Sequence, residues 1–200
     1  SDSQWKAPSE YHNGGIDWQD MIFRSAMMHN HQISIVGGAS DKTTFAVSGN
    51  YYGQDGIIIN SDLKRGSLRS NIDSQVSSWI KMGLSFTATR TKTNYTTSEG
   101  DGGGSSAGVV NGALSYVPTM PMYNNDGSYT TLSTAPNTLS IGNPYATALL
   151  TKDLSSIDRV LANAYVKFDF GRYLKGLAFE IKGGTDYSDA LREGYRPSTT

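Results

Sequence analysis

The chain has 200 residues, a formal net charge of −1 and a hydrophobic content of 37%, which is enough for one ordinary domain. The near-neutral charge excludes a strongly basic surface for nucleic acid, and the absence of cysteine excludes both a disulfide framework and a thiolate metal site. No apolar run approaches the roughly 20 residues of a spanning helix, so the chain is either soluble or meets lipid as strands.

The first predicted element is a short helix within residues 16–28. Asp17 is placed to cap it, and Ile16, Phe23 and Met27 fall roughly on one side. The rest of the chain favours strands and turns, since it is rich in Gly, Tyr, Ser, Thr and Asn.

Six segments after this helix alternate apolar and polar residues with the period of two that indicates β-strands. In residues 68–76 every second residue is apolar or small, and those between them are strongly polar. The other five strands are predicted over residues 32–37, 43–53, 80–89, 160–170 and 177–188. Leu161 departs from the pattern on the polar side.

Strand length and connection length together favour a membrane barrel. A strand in a soluble sandwich has about 5 or 6 residues, whereas a tilted strand that crosses a bilayer needs about 9 to 11. The predicted strands after the first, 32–37, reach the longer figure, and short links alternate with long ones, of which residues 92–157 form the longest. Short turns at one end and long loops at the other are typical of an outer-membrane barrel. The apolar side is therefore expected to face lipid, and the polar side a hydrated lumen.

Aromatic residues are expected at both membrane boundaries, as in the girdles of such barrels. Trp79, Phe170 and Tyr173 lie near the short turns, and Tyr51, Tyr52 and Tyr187 lie near the long loops.

A different class of protein is compatible with the same period. A soluble surface β-domain, acting as a glycan-binding module or an adhesin, would pack the apolar side inward as an antiparallel sandwich. Six strands are also too few to close a barrel, which needs about 8, so the barrel interpretation requires that the chain be part of a larger one.

Several stretches resemble one known family. They are "IDWQDMIF" (16–23), residues 29–61, residues 63–94, "PTMPMYNNDGSY" (118–129), "GNPYA" (142–146) and residues 158–184. In this order they resemble the opening barrel strands of the SusC/RagA group of TonB-dependent outer-membrane transporters.

The resemblance implies a 22-stranded barrel in the outer membrane of a Gram-negative bacterium, filled by a plug and paired with a SusD-like surface lipoprotein. Such pairs import oligosaccharides or peptides, energised through TonB. The plug, the TonB-contacting segment and the first barrel strand are then expected before residue 1, and most strands after residue 200. Expected partners are the lipoprotein, TonB through a region outside this chain, the cargo, membrane lipid and lipopolysaccharide, but no nucleic acid. Another subclass of TonB-dependent importer, for metal chelates and without a lipoprotein lid, stays open.

The family layout implies four regions in this chain. Residues 1–28 would link into the barrel and include the helix, and residues 29–91 would form barrel strands with short periplasmic turns and one extracellular loop. Residues 92–157 would form a long extracellular loop, and residues 158–200 a further strand pair.

The residues indicate no catalysis and no cofactor. His29 and His31 could chelate a metal from one side of a strand, but no third ligand lies nearby in the sequence, so we expect no metal site. No Ser, His and acid set has plausible triad roles, so we expect no enzyme activity.

Binding is the more plausible chemistry, and the long loop carries its candidates. Flat aromatic rings cover the apolar faces of sugars, and planar polar groups bond to their hydroxyls. The candidate binding residues are Tyr95, Tyr116, Tyr123, Asn124, Asn125, Asp126 and Tyr129. A hairpin turn is expected at Asn125-Asp126-Gly127. The open alternative is that these aromatic residues pack against the plug or the lipoprotein and touch no cargo.

Overall fold

The computed structural model describes residues 15–96, 108–133, 140–172 and 174–197. Its strands are β1 (Met28–Ser40), β2 (Thr43–Asp55), β3 (Asp62–Ser77), β4 (Ile80–Asn94), β5 (Leu132–Ser133), β6 (Ser140–Ile141), β7 (Lys152–Asp169) and β8 (Ala178–Tyr195). Its helices are α1 (Trp18–Ile22), α2 (Val109–Ser115) and α3 (Pro144–Leu150). One antiparallel sheet has the order β1-β2-β3-β4-β7-β8, and β5 and β6 form a separate pair. The expected antiparallel β fold with a short helix near the N-terminus is confirmed.

Connections join the strands at both ends of the sheet. At one end, here called the tight-turn end, they are residues 41–42, 78–79 and 170–177. At the other end, where the sequence predicts long connections, they are residues 56–61 and 95–151. The first of these two is shorter than predicted, and shorter than 170–177, because β2 and β3 stay paired as far as Asp55 and Asp62. The second is shorter than the predicted 92–157, because β4 and β7 stay in register as far as the pair Asn94 and Leu154.

The predicted helix over residues 16–28 is shorter than expected. Asp17 does cap it, since its carboxylate accepts from the backbone N–H groups of Gln19 and Asp20. The helix ends at Ile22 because the chain then pairs with the first long connection. The backbone N–H of Arg24 donates to the carbonyl of Ile57 at 2.8 Å, and Phe23 forms a bridge with Ile58.

The strand register gathers the apolar side chains in five rows on one face of the sheet, because directly paired residues of antiparallel strands share a face. From the tight turns upward these rows contain Ile80, Phe168 and Phe179; Met82, Val166 and Ile181; Phe45, Ile72, Leu84 and Ala164; Ile35, Val47, Phe86 and Ala162; and Ile33, Leu68, Ala88, Val160 and Tyr187. We call these five rows the apolar band. Along β4 the band runs from Ile80 to Ala88, which is about the 9 to 11 residues that a tilted strand needs to cross a bilayer.

The apolar band is open rather than packed into a core. The exposed fractions of Leu68, Ile72, Leu84 and Phe179 are 47%, 39%, 48% and 54%. An inward-packed sandwich would bury all four together. The structure therefore contradicts the soluble sandwich and supports a lipid-facing surface.

Aromatic rings mark both ends of the band. At the tight-turn end the rings of Trp79 and Phe168 are 6.0 Å apart, and those of Trp79 and Phe170 are 6.5 Å apart. At the other end Tyr51 and Tyr187 are 46% and 62% exposed. The expectation for Tyr52 was wrong: as the neighbour of Tyr51 it lies on the opposite face, where its hydroxyl donates to Gln54 at 2.6 Å. Tyr173 lies outside the described residues.

Hydrogen bonds and ion pairs link polar side chains across the opposite face. The hydroxyl of Tyr165 donates to Asp73, and Lys81 lies 3.9 Å from the same carboxylate. The ring of Tyr165 lies across Gly83, where a Cβ would overlap it. This network suits the hydrated lumen that the sequence predicts.

Four charged residues on that face are expected from the sequence to pair with one another or with the plug, namely Arg69, Asp73, Lys167 and Glu180. The structure shows no salt bridge between any two of these four described residues. Asp73 pairs with Lys81 instead, and Glu180 lies 3.3 Å from Lys182 although Lys167 is its directly opposed residue.

Candidate functional site

The long connections and α1 pack together into a structured unit at the loop end of the sheet. Its buried core consists of Trp18, Ile22, Ile58, Val109, Ala113, Tyr116, Met120, Leu132 and Ala148. We call this unit, residues 15–24, 56–61 and the described parts of 96–151, the cap. The indole N–H of Trp18 donates to the carbonyl of Val117 at 3.1 Å and so ties α1 to the long loop.

Tyr116 lies in the core of the cap and not on its surface. It is 3% exposed, and its ring meets that of Trp18 edge to face at 4.7 Å. Its hydroxyl donates to the carbonyl of Thr130 at 2.8 Å. Burial raises the pKa of this hydroxyl, while the bond to Thr130 lowers it to a lesser extent. Of the seven predicted binding residues, Tyr116 is therefore placed to stabilise the loop.

Buried polar side chains fix the second half of the cap. The side-chain oxygen of Asn143 accepts from the N–H groups of Tyr145 and Ala146 and so caps α3, and Pro144 occupies the first turn. The side-chain amide N–H of Asn143 donates to the carbonyl of Met122 at 3.2 Å. Sequence reasoning missed this role, although "NP" at the start of an apolar run is a helix-start signal.

A hairpin turn connects Tyr123 and Tyr129, as predicted for residues 125–127. The backbone N–H of Asn124 donates to the carbonyl of Ser128 at 2.7 Å, and Gly127 has φ 83°. The carboxylate of Asp126 accepts from the hydroxyl and the backbone N–H of Ser128, which lowers the pKa of Asp126. The turn is thus closed by its own polar side chains.

Three tyrosine rings form a cluster beside this turn. Tyr123 and Tyr129 pair across the hairpin, with ring centroids 5.0 Å apart, and the ring of Tyr145 lies 6.4 Å from that of Tyr129. Tyr123 is 48% exposed. Partial burial, together with the neighbouring Tyr123, raises the pKa of Tyr129. We call these three residues the tyrosine cluster. It brings flat rings and the planar groups of the turn to one accessible place.

Tyr95 has different neighbours. Its backbone N–H donates to the carbonyl of Asp153 at 2.8 Å, and the guanidinium of Arg192 lies 5.9 Å from the centre of its ring. Tyr95 is 47% exposed at the point where β4 leaves the sheet. The predicted residues therefore divide into three places: the turn with Tyr123 and Tyr129, the core with Tyr116, and the wall with Tyr95.

One asparagine joins the cap to the strands. The side-chain amide of Asn60 donates to the carbonyls of Ala148, Leu149 and Thr151, at 3.2, 3.2 and 3.3 Å, and so closes the end of α3. Asn94, the last residue of β4, donates to the carbonyl of Asn60 at 2.6 Å. Asn60 has φ 60°, a left-handed conformation that Asn tolerates better than most residues.

Within the described residues, no group of three or more His, Cys, Asp or Glu is arranged to hold a metal ion. No described helix is both long and apolar enough to span a bilayer.

Comparison with known proteins agrees with this geometry, although no family model matches the chain. The chain is 34% identical over 184 residues to TonB-dependent receptor P3 of Formosa agariphila, covering 92% of this chain and 18% of that protein. It is 27% identical over 205 residues to TonB-dependent receptor SusC of Bacteroides thetaiotaomicron, covering 94% of this chain and 20% of that one. The chain belongs to the SusC/RagA family of TonB-dependent receptors.

The solved structures agree at the level of fold. The structure of the RagAB peptide transporter superposes on this chain with a TM-score of 0.66, at 19% sequence identity. The superposition covers 90% of this chain and 20% of the RagAB chain. Its closed-closed state gives a TM-score of 0.65 at 22% identity. The SusC/RagA chain described here thus spans about a fifth of the length of its relatives. TonB-dependent receptors of this kind are outer-membrane proteins of Gram-negative bacteria and not enzymes, which places the apolar band in that membrane.

Proposed function

We propose that the protein carrying this chain is an outer-membrane importer of oligosaccharides or peptides, energised by TonB and closed from outside by a SusD-like lipoprotein. This chain contributes part of the pore wall and an extracellular cap. The observation that carries the proposal is the exposed apolar band on six hydrogen-bonded strands, whose opposite face is polar. Such a wall is stable only with lipid on one side and water on the other.

The strand edges support this role. Within the described sheet, β1 and β8 each have a neighbour on one side only. An open sheet edge is not tolerated in the hydrocarbon region of a bilayer, so both must pair with further strands. The four neighbouring regions of the chain, 1–28, 29–91, 92–157 and 158–200, then act as a link, a wall segment, an extracellular loop and a further wall segment. With the observed strand ends, the loop is residues 95–151.

Import is tested by uptake. Deletion of the gene should abolish uptake of either labelled oligosaccharides or labelled peptides and leave the other class unchanged, and deletion of TonB should have the same effect. Normal uptake of both classes in the deletion strain would contradict the proposal. Affinity purification of the intact transporter should also recover a stoichiometric surface lipoprotein. A metal-chelate importer, in contrast, would be recovered alone.

For cargo contact we propose the tyrosine cluster with Asn124, Asn125 and Asp126. The exposed ring of Tyr123 and the tilted, half-buried rings beside it lie next to planar amide and carboxylate groups, and such a set can hold either a sugar ring or a peptide plane. Tyr123→Ala in the intact transporter should weaken cargo binding about two- to twelve-fold, the equivalent of roughly 0.5 to 1.5 kcal/mol, as measured by titration calorimetry.

The matched control is Tyr187→Ala, which removes a ring of similar exposure from the apolar band. It should leave cargo affinity unchanged. Equal affinity of Tyr123→Ala and the unmodified transporter would favour the alternative in which these rings contact only protein.

A further inference from the structure

The lumen face of β1 to β4 carries a strongly polar surface toward the loop end of the sheet. It consists of three successive rows, those of Arg69, Ser67 and Arg65. On these four strands every side chain of the three rows, apart from the two arginines and Tyr52, ends in a hydroxyl or a carboxamide group. We call this surface the polar strip. Arg69 lies beside Leu68 of the outermost apolar row, and Arg65 lies about 13 Å further toward the loops.

Both arginines of the polar strip lack an anionic partner in the part of the chain that the structure describes. Both are exposed, and neither forms a hydrogen bond or an ion pair with another described residue. The guanidinium of Arg65 lies 5.3 Å from the centre of the Tyr52 ring, whose hydroxyl is held by Gln54. Arg65 is thus positioned by an aromatic face, while its N–H groups stay open to a ligand.

The neighbouring acids of the lumen face are engaged elsewhere. Each of them lies beside a different basic residue: Asp186 beside Arg159, Asp153 beside Arg192, and Asp73 beside Lys81. The acids closest in sequence to the two arginines, Asp55 and Asp62, lie on the opposite face of the sheet. The polar strip therefore carries two positive charges that no described carboxylate neutralises.

The other arginines of the sheet show which anion fits this chemistry. Arg90, Arg159 and Arg192 each bind one carboxylate of a neighbouring strand through two hydrogen bonds. Arg192 also lies over a tyrosine ring, at 5.9 Å from the centre of Tyr95. Arg65 repeats this arrangement without the acid. Because the planar guanidinium matches a carboxylate in two parallel bonds, the group that is missing at Arg65 is a carboxylate from another molecule or segment.

We propose that Arg65 and Arg69 bind carboxylates of an acidic oligosaccharide as it passes along the polar strip. The inference rests on the proposed function and names the class of cargo. The hydroxyl and carboxamide groups between the two arginines can bond to the hydroxyls of the same sugar chain. A protein segment packed on the strip would instead require apolar contacts, which the strip offers only at Tyr52.

The test compares an acidic cargo with the same cargo made neutral. Titration calorimetry on the intact transporter uses oligomers of galacturonate, glucuronate and mannuronate, each beside its carboxyl-reduced form. At least one acidic oligomer should bind at least ten-fold more tightly than its reduced form. Arg65→Ala combined with Arg69→Ala should lower the affinity for that acidic oligomer at least ten-fold and leave the affinity for the reduced form unchanged.

Two variants serve as controls. Arg65→Lys combined with Arg69→Lys keeps both charges but loses the planar fork, so it should keep a weaker preference for the acidic oligomer. Arg159→Ala combined with Asp186→Ala removes a lumen arginine together with its own carboxylate. This second variant should keep the full preference.

Several results would overturn the proposal. One is equal binding of every acidic oligomer and its reduced form, and another is an unchanged preference in the double alanine variant. An equal loss of affinity for both forms would assign the arginines to a carboxylate of the protein. Tighter binding of a sulfated oligosaccharide or of an acidic peptide, titrated in the same way, would exclude the carboxylated sugar. Should the double alanine variant not assemble, Arg65→Gln alone must lower the affinity for the acidic oligomer at least three-fold.

Failure of this proposal differs from failure of the proposed function. A transporter that imports neutral oligosaccharides or peptides without dependence on Arg65 and Arg69 contradicts the acidic cargo alone. Normal uptake of both cargo classes after deletion of the gene contradicts the function itself.

Discussion

The cap and the strand wall use apolar residues in opposite ways. In the cap Ile22 and Ala146 are completely buried, as in a soluble domain. In the wall Ile33 is 74% exposed and Ile35 is 60% exposed. An apolar side chain of the same type thus stabilises the cap when it is transferred from water into a protein core, and stabilises the wall when it is transferred from water into lipid. The cap is stable in water, whereas the apolar face of the wall requires lipid. This difference can be tested by substitutions that destabilise one region and not the other.

The largest effect is expected in the core of the cap. Ile22→Ala should destabilise the cap by about 2 to 5 kcal/mol, because it leaves a cavity among side chains that cannot reach water. The measurement is hydrogen exchange of cap amides in the intact transporter. Ile33→Ala, on the exposed wall, is the control and should cost less than about 1 kcal/mol. Similar losses for both variants would contradict the distinction between the two regions.

A charge in the middle of the wall should have the next largest effect. Ile72 lies in the central row of the apolar band, so Ile72→Arg should cost about 2 to 4 kcal/mol near the midplane of the bilayer. Asn71→Arg, one residue away on the polar face, should be much milder. Denaturant titration of the transporter refolded into lipid vesicles measures both, and small, equal effects would show that the orientation of the sheet is wrong.

The joint between the two regions should come third. Asn60→Ala removes the side-chain bonds to the end of α3 and forces a left-handed conformation on Ala, so it should loosen the cap by about 1 to 3 kcal/mol. Asn60→Gly loses the same bonds but accepts the backbone conformation, so it should be milder by about 1 kcal/mol. Limited proteolysis of the 56–61 segment reports the change. A glycine variant that is cleaved faster than the alanine variant would refute the role of the backbone conformation.

The smallest effect is a pH dependence of the cap alone. Because burial raises the pKa of Tyr116, its contribution is fully present below the ordinary tyrosine pKa of about 10 and is lost as the pH rises toward the higher folded value. Tyr116→Phe should cost about 1 kcal/mol at neutral pH and should weaken the loss of cap protection above pH 10. Hydrogen exchange of the cap amides at pH 9 and pH 10.5 measures this loss of protection. The control is Tyr95→Phe, a substitution at an exposed residue of the wall. If the Tyr116→Phe variant lost cap protection above pH 10 as strongly as the unmodified protein, other groups would have to cause that loss.

The wall was predictable from the sequence and the cap was not, for a physical reason. A strand between lipid and water alternates apolar and polar residues, so the period in residues 68–76 was enough to separate the two faces. Strand length then favoured lipid on the apolar face. The cap is enclosed by contacts between distant segments, and no local period separates buried Tyr116 from exposed Tyr123.

The strands are longer than the membrane requires. On β8 the apolar band ends at Tyr187, yet pairing continues to Tyr195, about 27 Å further along the strand and about 20 Å higher at a tilt near 40°. In the proposed orientation the wall rises from the outer leaflet as a collar and holds the cap at its rim. Molecules that arrive from outside would then meet this raised rim before they reach the bilayer surface.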